Sequence, residues 1–237
     1  MKTIHRPVCS LFLLIALTTP LHGAQADSFW QTLFRVTGIS ATPRSMKDVN
    51  GQKSGNIWTV NLAQQSRSQV TRDGGYRFPV FLPADQNILA LKGDEMVQVA
   101  VHGGEARALH TLQRAVKIVG FNKENYDQVL ILRENEDGTP LVGFLSLKTG
   151  QVTSIPYDKN SDEDRLMLSH LLGWERVYND TRVYVKVEIK GSRYKSDVYI
   201  KRGNQDEINL SECGGAICDQ PSLSHNGRQV VFIQAER

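Results

Sequence analysis

The chain has 237 residues, 28 Lys and Arg against 25 Asp and Glu for a net charge of +3, and a hydrophobic content of 40%. That length is enough for one sizeable domain. The near balance of charge argues against a nucleic-acid binder, which would carry a strong positive excess or a basic stripe.

The first 26 residues read as a cleavable secretory signal peptide. Lys2, His5 and Arg6 form a short basic start, followed by the apolar run Val8 to Leu17. That run is too short to span a bilayer comfortably, which takes about 20 apolar residues. A polar, Pro-broken stretch then ends in Ala24-Gln25-Ala26. Small residues at the first and third places before the cut suit a signal peptidase, so cleavage is expected before Asp27. Cys9 lies within the apolar run, badly placed for lipidation, and leaves with it. Removal of Lys2 and Arg6 leaves 26 basic residues against 25 acidic, a net charge of +1. The mature chain is expected to carry no transmembrane segment, because no later run approaches spanning length.

Residues 28–36 place Phe29, Trp30, Leu33, Phe34 and Val36 in a short amphipathic helix or an extended lead-in. From residue 55 the pattern changes to short runs rich in Val, Ile, Tyr and Phe, separated by Gly, Asn, Asp and Pro clusters. That is the pattern of strands and turns. One unit, a turn feeding a strongly apolar strand, recurs at 79–91, 118–132, 171–187 and 221–233. A second, alternating strand follows at 57–62, 96–101, 141–147 and 198–201. Ile88, Val129, Val183 and Val230 mark steps of 41, 54 and 47 residues. Periods of about 40–50 residues with four strands each indicate propeller blades rather than a sandwich.

The two ends complement each other. The chain finishes on Val230-Val231-Phe232-Ile233, the inner half of a blade, and begins its strand pattern with an outer half at Ile57–Leu62. The expected fold is all-β: a small propeller of four four-stranded blades, closed by N-terminal strands that complete the last blade. A fifth blade would have to be a degenerate one within residues 35–53. Closure leaves no end blade free to pair with another chain. Near the C-terminus, Cys213 and Cys218 flank Gly-Gly-Ala-Ile. An even pair around a Gly-rich turn in an exported chain reads as a structural disulfide, since the turn can bring the Cα atoms within about 6 Å. A metal or redox pair is less well matched, because two thiolates are half a zinc site and the spacing is not Cys-x-x-Cys.

Val70-Thr71-Arg72-Asp73-Gly74-Gly75-Tyr76-Arg77-Phe78-Pro79 through Pro83-Ala84-Asp85, and Pro221-Ser222-Leu223-Ser224-His225-Asn226-Gly227-Arg228, resemble the Leu-Thr … Pro-x-x-Ser-Pro-Asp-Gly junction of TolB-type β-propeller repeats. Asn56-Ile57-Trp58-Thr59-Val60-Asn61-Leu62 is similar to the outer strand of the same family. The resemblance covers most of 55–237, which gives a division into a signal peptide (1–26), a lead-in (27–54) and a TolB-like propeller domain (55–237). It implies a periplasmic propeller serving as a protein-binding platform, without the separate N-terminal domain of TolB. Its motifs specify fold rather than chemistry: Asn-Gly makes a tight turn, and Pro stiffens the strand entry.

No catalytic arrangement is legible. Ser169-His170 are neighbours, which in a strand point to opposite faces. His102, His110, His170 and His225 are scattered, and the acidic runs at 134–137 and 158–164 do not match the twelve-residue calcium loop. No cofactor is expected. Aromatic and cationic residues near turns, Tyr76 with Arg77 and Trp174 with Arg176, are the candidate binding surface. The reading is therefore a non-catalytic periplasmic or secreted scaffold that binds an envelope or periplasmic protein. The alternative is a small calcium-dependent propeller hydrolase or lactonase. A glycan-binding propeller is a third reading, for which repeated aromatic and polar pairs at the blade period are wanting. Intact-mass spectrometry of the exported protein should find Asp27 as the first residue, whereas a retained leader would contradict the processing expected here.

Overall fold

A computed structural model describes residues 54–122, 124–136, 140–155, 161–163, 177–190 and 193–235. The expectations for residues 1–53 lie outside this set. Among the described residues, sixteen strands follow in chain order: β1 (Asn56–Asn61), β2 (Ser66–Gln69), β3 (Tyr76–Phe81), β4 (Asn87–Lys92), β5 (Glu95–Ala100), β6 (Arg107–Thr111), β7 (Ala115–Asn122), β8 (Asn125–Glu134), β9 (Pro140–Ser146), β10 (Val152–Ser154), β11 (Val177–Tyr178), β12 (Thr181–Lys190), β13 (Arg193–Arg202), β14 (Ile208–Asn209), β15 (Ile217–Leu223) and β16 (Gln229–Ala235).

They pair into a sheet β3-β4-β5-β6, a sheet β10-β9-β8-β7, and a larger sheet ordered β11-β12-β13-β15-β16-β1-β2, with β14 against β13. The larger sheet consists of two antiparallel groups joined only by a parallel contact, Ser196 with Ile217. In the second group β1 pairs antiparallel with β16 from Asn56↔Gln234 to Asn61↔Gln229, so the first strands finish a sheet begun by the last.

Burial explains which residues form which strand. In β4, Ile88, Leu89, Ala90 and Leu91 are all fully buried, as expected of a strand covered on both faces. In β2 and β6 the residues are mostly exposed or half-buried, and their sequences Ser-Arg-Ser-Gln and Arg-Ala-Leu-His-Thr are accordingly polar. Alternation distributes the apolar residues between successive cores. Leu89 and Leu91 pack with Ile118, Phe121, Val129 and Ile131 of the neighbouring sheet. Ile88 and Ala90 pack on the other side with Ile57, Val231 and Ile233. The opposite face of β16 puts Val230 and Phe232 with Val183, Val198 and Ile200. Each fully buried aliphatic or aromatic side chain contributes about 1.5–3 kcal/mol.

Two first strands carry a proline, which cannot donate to a ladder. The sheet accommodates Pro79 and Pro221 at bulges, where the register shifts between Arg77 and Val80 and between Asp219 and Ser222. The residue before each proline has a positive φ, 51° at Phe78 and 57° at Gln220. The two bulges are tied together, as the Phe78 N–H donates to Gln220 Oε1 at 2.6 Å.

Cys213 and Cys218 form the expected disulfide, with Cα atoms 6.2 Å apart. Its loop is held from beneath by buried Asp197 of β13. That carboxylate accepts the Cys213 N–H at 2.7 Å and the Ser211 hydroxyl at 3.1 Å, and pairs with Lys195 at 3.0 Å. Burial pushes the Asp197 carboxyl up, but the Cys213 N–H, Lys195 and Ser211 together more than offset this and hold it below the usual range. A depressed carboxylate stabilises the fold above its unfolded value near pH 4, and that stability is lost as pH falls through the folded value. Asp197→Asn should therefore cost about 1–3 kcal/mol at neutral pH. In urea denaturation repeated across pH, the deficit should shrink as the pH drops below 4.

Candidate functional site

Within each four-stranded group the first two strands are joined by a turn. The turns lie at 82–86 between β3 and β4, at 122–125 between β7 and β8, at 178–181 between β11 and β12, and at 224–228 between β15 and β16. Their residues are those that satisfy a turn locally. Ser224 Oγ accepts the N–H groups of Arg228 at 3.1 Å and Gln229 at 2.9 Å. Asn122 Oδ1 accepts the Glu124 N–H at 3.0 Å. Left-handed backbone occurs at Asp85, Asn179 and Gly227, with φ of 55°, 53° and 67°.

These four turns meet. Asp85 bridges two of them by accepting the His225 N–H at 2.8 Å and the Asn226 N–H at 3.1 Å. The His225 imidazole stands edge-on to Phe121 at 5.7 Å and to Tyr126 at 5.9 Å, which brings in the β7–β8 turn. The fourth turn arrives through Tyr178, which lies over Gly227 so closely that a Cβ there would be 2.4 Å from Tyr178 Cδ1. Glycine at 227 thus answers both to its φ and to this contact.

The surface so formed presents Tyr126, 51% exposed, and Tyr178, 40% exposed, around the partly exposed His225. Asp85 Oδ1 also lies 3.4 Å from His225 Nδ1, so the carboxylate anchors both the turns and the imidazole. Chemically, such exposed tyrosines offer apolar area from their rings and hydrogen bonds from their hydroxyls. Among the described residues, no group of three or more His, Cys, Asp or Glu could hold a metal ion.

Of the residues expected from sequence to form the binding surface, Tyr76 and Arg77 lie away from these turns, on β3. Trp174 and Arg176 lie outside the described residues. Tyr76 begins β3, at the end opposite the 82–86 turn, and its ring is 1% exposed. It is a core residue, not a rim residue, because β3 is covered on both sides and its first position also bridges to Gly55. Its hydroxyl does reach a polar group, lying 3.2 Å from Asp73 Oδ2, while the Lys92 ammonium sits 4.8 Å above the ring and pairs with Asp73. The Lys92 hydrogen bond holds the Asp73 carboxyl below its ordinary range, and burial raises the Tyr76 phenol. This trio lines an open cleft of about 620 Å³ with Thr71, His102 and Glu105. Arg77 is half-buried and occupied, donating from Nη2 to the Gly93 carbonyl at 3.0 Å. Tyr126 carries no signal in the sequence beyond its place beside the repeated turn.

No protein-family model and no curated protein matches the chain. Among solved structures, it is similar to one assigned as TolB from Agrobacterium tumefaciens, at 15% identity and a TM-score of 0.38, over 76% of this chain and 61% of that one. It is also similar to TolB from Acinetobacter baumannii, at 14% identity and a TM-score of 0.32, over 77% of this chain and 47% of that one. A third likeness is to a eukaryotic initiation factor, at 12% identity and a TM-score of 0.30, over 70% of this chain and 54% of that one. The chain thus spans about half to three-fifths of the length of these structures.

Proposed function

We propose that this chain is an exported, non-catalytic β-propeller of four blades that binds a protein of the cell envelope at the end of the ring where its four inner turns meet. The blades are β3–β6, β7–β10, β11–β14 and the composite β15-β16-β1-β2. The reading is supported by the convergence of one turn from each group on His225 and Gly227. The single observation that carries the binding role is the exposure of Tyr126 and Tyr178 on that surface. Tyrosine is enriched at the energetic centres of protein interfaces, and loops on a rigid scaffold are its usual carriers. A disulfide between Cys213 and Cys218 accords with an oxidising compartment, periplasmic or extracellular.

Site-specific photocrosslinking in intact cells tests the proposal. A photoreactive residue at 126 or 178 should yield a discrete adduct with one envelope protein, and the same residue at Ser68 of β2 should not. With that partner purified, Tyr126→Ala combined with Tyr178→Ala should weaken binding at least tenfold, in line with about 2 kcal/mol or more for truncated interface centres. Adducts formed equally from position 68, or unchanged affinity of the double variant, would contradict the proposal.

A further inference from the structure

The cleft beside Tyr76 lies apart from the turn end, since none of its lining residues belongs to the four turns. One wall is the stretch 69–73, which leaves β2 toward β3, and the other is the loop 102–106 between β5 and β6. Both walls are anchored in one core, where Val70 and Val101 are buried and Ala106 packs against the cluster. They also approach each other directly: a Cβ at Gly103 would lie 3.1 Å from the Val70 carbonyl oxygen. Hydrogen bonds fix the first wall further. Thr71 Oγ1 accepts the Ile57 N–H at 2.9 Å, and Gln69 Nε2 donates to the Thr71 carbonyl at 2.9 Å. The cleft is thus preformed, and its volume of about 620 Å³ falls within the range of roughly 300–1,000 Å³ usual for small-ligand sites.

Charge decides what it can hold. Lys92 and Asp73 neutralise each other, with the Tyr76 hydroxyl 3.2 Å from the same carboxylate. Arg72 and Glu105 differ from them. Both are exposed and line the cleft, one on each wall, and neither side chain forms an ion pair or hydrogen bond with a described residue. Two unlike charges therefore stand apart across one space.

A simple anion held by Arg72 would face the Glu105 carboxylate, and a simple cation at Glu105 would face the Arg72 guanidinium. Each meets a like charge, which counts against it. A ligand with one charge of each sign satisfies both walls. An amino acid carries both charges on one carbon, whereas a peptide carries them at opposite ends, as the cleft does. A sugar is poorly matched, because Tyr76 is 1% exposed and its ring offers no face for stacking. We propose that this cleft binds a short peptide by its free termini, the carboxylate at Arg72 and the ammonium at Glu105.

The test is titration of the exported, processed and isotope-labelled protein with trialanine, followed by NMR. The amide signals of Gly103 and Gly104 should shift saturably. Trialanine amide and N-acetyltrialanine each lack one charge and should bind about fivefold more weakly, the upper range for a solvent-exposed ion pair. Arg72→Gln should abolish the difference between trialanine and its amide while keeping that of the acetylated peptide. Glu105→Gln should do the reverse. Both substitutions replace exposed side chains, so the melting temperature should stay unchanged. No shift at Gly103 and Gly104, equal binding of the three peptides, or preferences that survive both substitutions would overturn the proposal. A preference for the free carboxylate alone would also overturn it and assign the cleft to simple anions.

Discussion

The pairing of β1 with β16 is the interaction on which the rest of the structure depends. It joins residues 56–61 to residues 229–234, strands far apart in sequence, and leaves the composite sheet with β2 as its outer strand. Both cores beside this sheet draw on it. Ile57, Val231 and Ile233 supply one, and Val60, Val230 and Phe232 supply the other. Backbone contact is close where β1 begins, since a Cβ on Gly55 would lie 2.2 Å from the Gln234 carbonyl oxygen. Arg67 of β2 reinforces the closure from outside. It lies 4.1 Å from the Trp58 ring centroid and donates to the Ser211 carbonyl and to Gln234 Oε1, which links the outer strand to the disulfide loop.

Much of this strand order was legible because a four-strand unit repeats along the sequence. The four marker residues Ile88, Val129, Val183 and Val230 all fall in the second strand of a group: β4, β8, β12 and β16. In β4, β8 and β16 a run of buried apolar residues stands out against the polar outer strands, whereas in β12 only Val183 of the described residues is buried. The third strands, β1, β5, β9 and β13, correspond to the alternating units. The disulfide was legible from its glycines. The bulges were not, because a positive φ at Phe78 and Gln220 runs against ordinary propensity and is imposed by the sheet around Pro79 and Pro221.

Exposure at a turn is harder to read from sequence, for an equally physical reason. A tyrosine near a turn can face solvent or can bury its ring and leave only its hydroxyl on a polar partner. Tyr76 does the second, because β3 lies between two cores and Asp73 with Lys92 receives the hydroxyl. Tyr126 and Tyr178 do the first, and what distinguishes them is the meeting of four turns from distant parts of the chain. No local pattern carries that information.

Native-state hydrogen exchange of the backbone amides tests the closure most directly. If β1 completes the terminal sheet, amides of residues 57–61 should exchange as slowly as those of β4 and β16, and all three should open only with global unfolding. Fast exchange of β1 beside a protected β16, as in a frayed terminal segment, would contradict it.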